Sequence, residues 1–129
     1  MFPGKDETPP LSISGVEDYP TIRIVRLRGP IDQTTVSELE RFRKWVANHR
    51  GFKHKHILLD FRHVTHTDTA AVAQILQTVS ELKSKQFRLG AVHLTPEMHS
   101  MFQVLKVEKW IGMFDNESEG LEAFTGKTR

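Results

Sequence analysis

The chain has no cysteine in its 129 residues. That absence removes a disulfide framework, thiol catalysis and Cys-ligated zinc together, and it fits a reducing compartment. No window approaches the ~18 consecutive apolar residues that cross a bilayer. The opening Met1-Phe2-Pro3-Gly4-Lys5-Asp6 also lacks the apolar core of a signal peptide. Direct membrane insertion is therefore not expected, and the cytoplasm is the expected location. Net charge is scarce as well: 18 Lys and Arg stand against 16 Asp and Glu, a formal +2. The surplus is too small to give the basic field that would point to nucleic acid. There is no internal repeat and no low-complexity segment.

What is present suffices for one core. With 38% hydrophobic residues and eight Phe, the chain can support a domain of roughly 100 to 110 residues. A domain of that size is stable by only ~5–15 kcal/mol. Residues 1–10, MFPGKDETPP, combine three prolines and a glycine with charges and almost nothing to bury. They read as a flexible N-terminal tail. Residues 11–125 form the expected domain, and 126–129 a C-terminal tail.

Along the domain, Leu11-Ser12-Ile13-Ser14 alternates apolar and polar, Tyr19-Pro20 punctuates, and Ile22-Arg23-Ile24-Val25-Arg26-Leu27 is rich in β-branched residues. Two strands joined by a turn are predicted there, and Gly29-Pro30-Ile31-Asp32 ends the second. Val36, Leu39, Phe42 and Val46 recur at helical spacing, with Thr35 and Glu38 in capping-box register, so one helix is predicted from about 33 to 49. Ile57-Leu58-Leu59-Asp60-Phe61 reads as a short strand buried on both faces. Val72, Ile75, Leu76, Val79 and Leu82 mark a second helix. Phe87, Leu89 and Ala91 alternate as a strand, and Thr95-Pro96-Glu97 supplies a cap, an N1 proline and a first-turn acid. The helix that follows would bury Met98, Met101, Phe102 and Leu105. Trp110-Ile111-Gly112-Met113-Phe114 then suggests a short edge strand before a last helix carrying Leu121 and Phe124.

Strands that alternate with helices close as right-handed crossovers between parallel neighbours. The expected fold is α/β: a mixed, mostly parallel β-sheet flanked by about four α-helices, with the N-terminal strand pair antiparallel. Ligand contacts in such sheets gather at the carboxyl ends of the strands. Asp32 and Asp68 each follow a strand and precede a helix, so both should lie at that end.

The stretch Val64 to Ala73 joins an apolar strand to an amphipathic helix through the pair Asp68-Thr69. Helix N-termini collect unpaired N–H groups and partial positive charge, so a carboxylate there caps the helix and a hydroxyl can hold a phosphate. As a cap alone, Asp68 accounts for ~1 kcal/mol. Thr69, a β-branched residue in a first turn, is a mediocre helix former and a candidate switch residue.

The other chemistry-bearing groups are weaker. His54 and His56 would share a strand face, with His63 and His66 in the adjacent loop, but no acid or Cys completes a metal-ligand spacing. Asp32, Asp60 and Asp68 together would line a magnesium site only with phosphates to complete the shell. The basic stretch of Arg41, Arg43, Lys44, Arg50, Lys53 and Lys55 has Glu38 and Glu40 interspersed and no aromatic platform, as a solvated helix face would. Met98, Met101 and Phe102 read as core, or as a partner groove if exposed.

Leu58-Leu59-Asp60-Phe61, Val64, Asp68-Thr69 and Val72 together resemble the STAS family signature, an apolar strand, a short loop and an Asp-Ser or Asp-Thr pair before a helix. Gly29-Pro30-Ile31-Asp32 resembles a second family element. The order of elements agrees from about residue 11 to 125. The family includes anti-sigma factor antagonists, stressosome proteins, subunits of lipid-transport systems and the cytoplasmic tails of sulfate-type anion transporters. In the first two, a partner serine/threonine kinase phosphorylates the hydroxyl after the signature Asp, which the resemblance places at Thr69. It likewise places Asp32 beside that site, and a partner-binding surface at Asp32, Asp68, Thr69 and Ala70. Antagonists usually continue the pair with a small hydroxyl and a glycine. Ala70-Ala71 is closer to the stressosome version and favours helix by up to ~1 kcal/mol over glycine.

No nucleophile–base pair, glycine-rich phosphate loop or metal motif is visible, so an enzyme is not expected and no cofactor or metal is called for. The expected function is a regulatory interaction module that binds a kinase or anti-sigma factor. The alternative is a STAS subunit or accessory domain of a membrane transport complex, for sulfate-type anion or lipid transport, with Thr69 as a contact residue for a transporter subunit. The sequence leaves a homo-oligomer open.

Overall fold

The computed structural model describes residues 13–125; both expected tails, together with Leu11 and Ser12, lie outside the described residues. Five strands form one mixed sheet in the order β1-β2-β3-β4-β5. They are β1 (Ile13–Asp18), β2 (Ile22–Ile31), β3 (His56–Thr67), β4 (Leu89–Val92) and β5 (Ile111–Phe114). β1 is antiparallel to β2, and every later pairing is parallel. Parallel neighbours need crossover helices. α1 (Gln33–Ser37) and α2 (Leu39–Asn48) connect β2 to β3, α3 (Thr69–Leu82) connects β3 to β4, α4 (Pro96–Val104) connects β4 to β5, and α5 (Glu117–Thr125) follows.

Alternation along the strands divides the core in two. Val25, Leu27, Ile57, Leu59, Phe61, Leu89 and Ala91 face the larger cluster, where α2 contributes Phe42, Trp45 and Val46, α3 contributes Val72, Ile75, Leu76 and Val79, and α4 contributes Met98 and Phe102. Each such side chain is worth ~1.5–3 kcal/mol when fully buried. The opposite face carries Ile22, Ile24, Leu58 and Val92 under Phe124 of α5, with Leu121 and Phe114 at the margin. The buried methionine face of α4 is therefore core. Trp110 is 43% exposed and precedes the edge strand that it was expected to open.

Two expectations are corrected. The single helix over 33–49 is two, with Glu38 between them at φ −102°, ψ 13°. Asp32, not Thr35, caps the first, and Thr35 closes the capping box by receiving the Asp32 N–H. Glu38 makes no side-chain cap hydrogen bond. The physical reason is the run Thr34-Thr35-Val36, three β-branched residues that crowd the preceding turn. The Thr35 hydroxyl is also tied back to Pro30 O at 2.6 Å.

The second correction concerns β3, which continues six residues past Phe61, to Thr67. Its pairing with β4 ends at Asp60–Val92, whereas its pairing with β2 runs on to Ile31–Thr67. The outer half of β3 is thus a two-stranded ribbon with solvent on most sides. His63 and His66, expected in a loop, stand in this strand.

Candidate functional site

The ribbon delivers two acids to one edge. Ile31 and Thr67 are register partners, which sets their strands ~4.8 Å apart, and the next residue on each is an aspartate. The Asp68 N–H donates to Ile31 O at 2.8 Å, locking the two strand ends together. From there the chains diverge into α1 and α3, each capped by its own acid.

Asp68 Oδ1 accepts from the N–H groups of Ala70 at 2.9 Å and Ala71 at 3.2 Å. Thr69 and Ala70 are exposed, while Ala71 is fully buried against the core. The Thr69 hydroxyl has no hydrogen-bond partner among the described residues. Asp32 accepts from the Thr34 hydroxyl, and from the Thr34 N–H at 2.9 Å. The Thr34 hydroxyl does most to hold the Asp32 carboxyl below its ordinary pKa; backbone N–H groups and nearby His66 add to it and outweigh partial desolvation. His66 Nε2 lies 3.1 Å from Asp32 Oδ2, and because a carboxylate can only accept, that nitrogen carries the hydrogen. His66 is 61% exposed at its side chain, so this contact sits on the surface. Shallow clefts flank the edge: one of about 300 Å³ against Gly29, Pro30 and Thr34, another of about 280 Å³ against Thr65, Thr67 and Glu97.

Asp32, Asp68, Thr69 and Ala70 are therefore brought to one end of the sheet. Asp60 is not. It lies seven residues before Thr67 on the same strand, about 20 Å away at the rise of an extended chain. It is 3% exposed, accepts from Arg26 at 2.7 Å and the Arg62 N–H at 2.9 Å, and contacts His93 Nδ1 at 2.9 Å. A magnesium site built from all three acids is ruled out by this separation. Arg26 also bonds Glu17 and Glu117. His93 Nε2 faces the Arg62 guanidinium at 3.1 Å and must accept from it, which leaves Nδ1–H to donate to Asp60. This network was missed in the sequence, although a carboxylate inside an apolar strand is itself the signal that buried partners exist.

The remaining histidines do not converge. His54 lies in the turn before β3, and His56 opens the strand between the rings of Phe87 and Phe124. Its Nδ1 accepts from the Arg88 N–H at 2.9 Å. Burial, then the Arg88 and Lys83 charges, lowers the His56 pKa. Among the described residues no three His, Asp or Glu side chains are grouped to hold a metal. No helix among them is long and apolar enough to cross a membrane.

With this architecture in place, the model of the STAS domain family matches residues 15–120. The chain belongs to the STAS domain family. Comparison with curated protein sequences gives no match. Among solved structures, an anti-sigma factor antagonist from Mycobacterium paratuberculosis is similar with a TM-score of 0.70 and 20% identity, over 96% of this chain and 99% of that one. The anti-sigma factor antagonist SpoIIAA in its unphosphorylated form gives 0.57 and 15%, over 89% and 98%. Bacillus SpoIIAA in its phosphorylated form gives 0.56 and 20%, over 84% and 96%. At such identities the likeness is one of fold. This STAS domain thus has the α/β fold of the anti-sigma factor antagonists, with Asp68-Thr69 at the start of α3.

Proposed function

We propose that this STAS domain is a non-catalytic regulatory module of the anti-sigma factor antagonist kind, which docks a serine/threonine kinase or anti-sigma partner at Asp32, Asp68, Thr69 and Ala70 and is switched by phosphorylation of Thr69. The observation that carries the reading is the Thr69 hydroxyl, exposed and unpartnered among the described residues, directly after a capping acid and at the sheet end where Asp32 also lies. A cytoplasmic setting goes with such partners.

The switch works by charge. A phosphate on Thr69 adds about −1.5 to −2 at neutral pH. It arrives next to Asp68 and at the same sheet end as Asp32, on a surface that a docked partner must desolvate. Repulsion and desolvation then expel the partner. The N-terminus of α3 offsets part of the repulsion within the domain, so the modified protein stays folded. The near-equal similarity to SpoIIAA in its unphosphorylated and phosphorylated forms supports a switch that leaves the fold intact. The kinase supplies the chemistry and the domain the acceptor.

Incubation with its cognate kinase and ATP should place one phosphate on Thr69, read by peptide mass spectrometry, and leave Thr69→Ala unmodified. In affinity capture, Thr69→Asp should lose a partner that wild type and Thr69→Ala retain. Asp is well suited to a helix first turn, so that loss would not come from unfolding. If all three capture alike, Thr69 is only a helix-start residue. Recovery of a transport ATPase or permease in place of an ATP-binding kinase would overturn the reading in favour of a transport-complex subunit.

A further inference from the structure

We propose that the cleft at the opposite end of the domain, between the end of α2, the turn into β3 and the end of α3, binds a small amphipathic anion: a phosphate or carboxylate carried on a short apolar body. The cleft has a volume of about 590 Å³, within the ~300–1,000 Å³ of small-molecule sites. Val46, Ala47 and Leu82 give it an apolar floor. His49, Arg50, Lys53 and His54 stand around that floor, and no acid lines it.

The basic stretch of the sequence divides here into paired and free charges. Arg43 is engaged by Glu81 at 3.4 Å and Lys55 by Asp18 at 3.2 Å. The charged ends of Arg50 and Lys53 have no hydrogen-bond or ion-pair partner among the described residues. His49 is fixed in place, its Nδ1–H donating to Trp45 O at 3.0 Å and its ring 4.2 Å from the Trp45 ring, so it walls the cleft and leaves the anion to Arg50 and Lys53. Glu81, next to Leu82 on α3, is taken up by Arg43 and Gln77. Asp18, the carboxylate beneath the turn, is shared between Arg23 at 2.7 Å and Lys55, while Arg23 Nη1 is buried without a partner. This end of the molecule is therefore cationic in excess. An inorganic anion would use only the rim and a neutral apolar molecule only the floor. A nucleic acid strand would find no stacking platform, since Trp45 and Phe52 are both buried.

The cleft lies at the far end of α3 from Thr69, ~21 Å along a 14-residue helix, so its test is independent of the proposed switch. Octyl phosphate, inorganic phosphate and the neutral octyl glucoside are titrated into ¹⁵N-labelled protein. Octyl phosphate is expected to shift amides of residues 46–54 and Leu82 saturably, and to bind about tenfold tighter than either control. Replacing both exposed cations, Arg50→Gln with Lys53→Gln, should weaken it about tenfold at an unchanged melting temperature. Thr69→Asp should leave it unchanged. The proposal is overturned if octyl phosphate gives no saturable shift at ~1 mM, if octyl glucoside binds equally well, or if the double variant binds as wild type does. It is also overturned in favour of a membrane surface if the protein sediments with phosphatidylserine vesicles but ignores soluble octyl phosphate.

Discussion

At the scale of single residues, Asp68 combines a cap and a charge, and two substitutions separate them. Its Oδ1 satisfies the N–H groups of Ala70 and Ala71. Asn retains a side-chain acceptor at an N-cap, whereas Ala leaves those donors to water at a cost of ~1 kcal/mol. Urea titrations should therefore place Asp68→Ala about 1 kcal/mol below wild type and Asp68→Asn within about 0.5 kcal/mol of it. Equal losses in both variants would mean that charge, not capping, holds the start of α3. This cap was legible in the sequence because it is made within three residues of itself, as is the Thr95 cap, which receives Met98 N–H at 3.2 Å. The partners of Asp60 were not legible. Arg26 and His93 reach it from 34 and 33 residues away, and only the pairing of β2, β3 and β4 brings them together.

At the scale of elements, periodicity identified what is buried and failed where the chain is held by pairing alone. All five strands and the helices after β3 follow from apolar spacing. The outer half of β3 does not, because residues 62–67 bury almost nothing and owe their extended form to β2. That same half places Thr67 beside Ile31 and so builds the candidate site. The site residues were readable from local motif, but the ribbon that sets them side by side was not. Gly29 tests the bend in this ribbon. It sits at φ +72° next to an irregularity in the β2–β3 register, and a Cβ there would meet nothing within 4 Å. The cost of Gly29→Ala is therefore backbone strain rather than collision, ~1–2 kcal/mol, or roughly 5 °C in melting temperature. Gly15 supplies the comparison, with equally open space and no positive φ. Gly15→Ala should melt at or slightly above wild type, because alanine narrows the unfolded ensemble. A Gly29→Ala melt matching wild type would show that the left-handed backbone at this position is not required.

At the scale of the whole molecule, the face beneath α5 is secured by a polar network beside its small apolar cluster. Arg26 of β2 gathers Glu17 from β1, Asp60 from β3 and Glu117 from α5, while His93 after β4 closes on Asp60. Burial alone would raise the Asp60 pKa. The hydrogen bonds from His93, the Arg62 N–H and Arg26 outweigh it, and the net result is a carboxyl held below its ordinary value. Glu17, Asp18 and Asp32 are lowered as well, each chiefly by a side-chain hydrogen bond. With folded pKa values below unfolded ones, the unfolded chain binds more protons near the ordinary carboxylate range. Their stabilisation is complete above that range and is lost as pH falls through the lower folded values. Urea midpoints should thus ease down from pH 7 to about 5, where the lowered pKa of His56 lets the unfolded chain take up a proton first, and drop more steeply between about 4 and 2. Asp60→Asn should cost about 2–3 kcal/mol at neutral pH, less than the ~3–5 for a fully enclosed pair, because the Arg26 side chain keeps 27% exposure. Since Asn cannot ionise, the variant should also fall less steeply in acid, and the gap to wild type should narrow as pH drops. An acid slope unchanged by the substitution would mean that the Asp60 carboxyl takes up its proton alike in the folded and unfolded chain, so that its bonds to Arg26 and His93 add nothing to the acid loss.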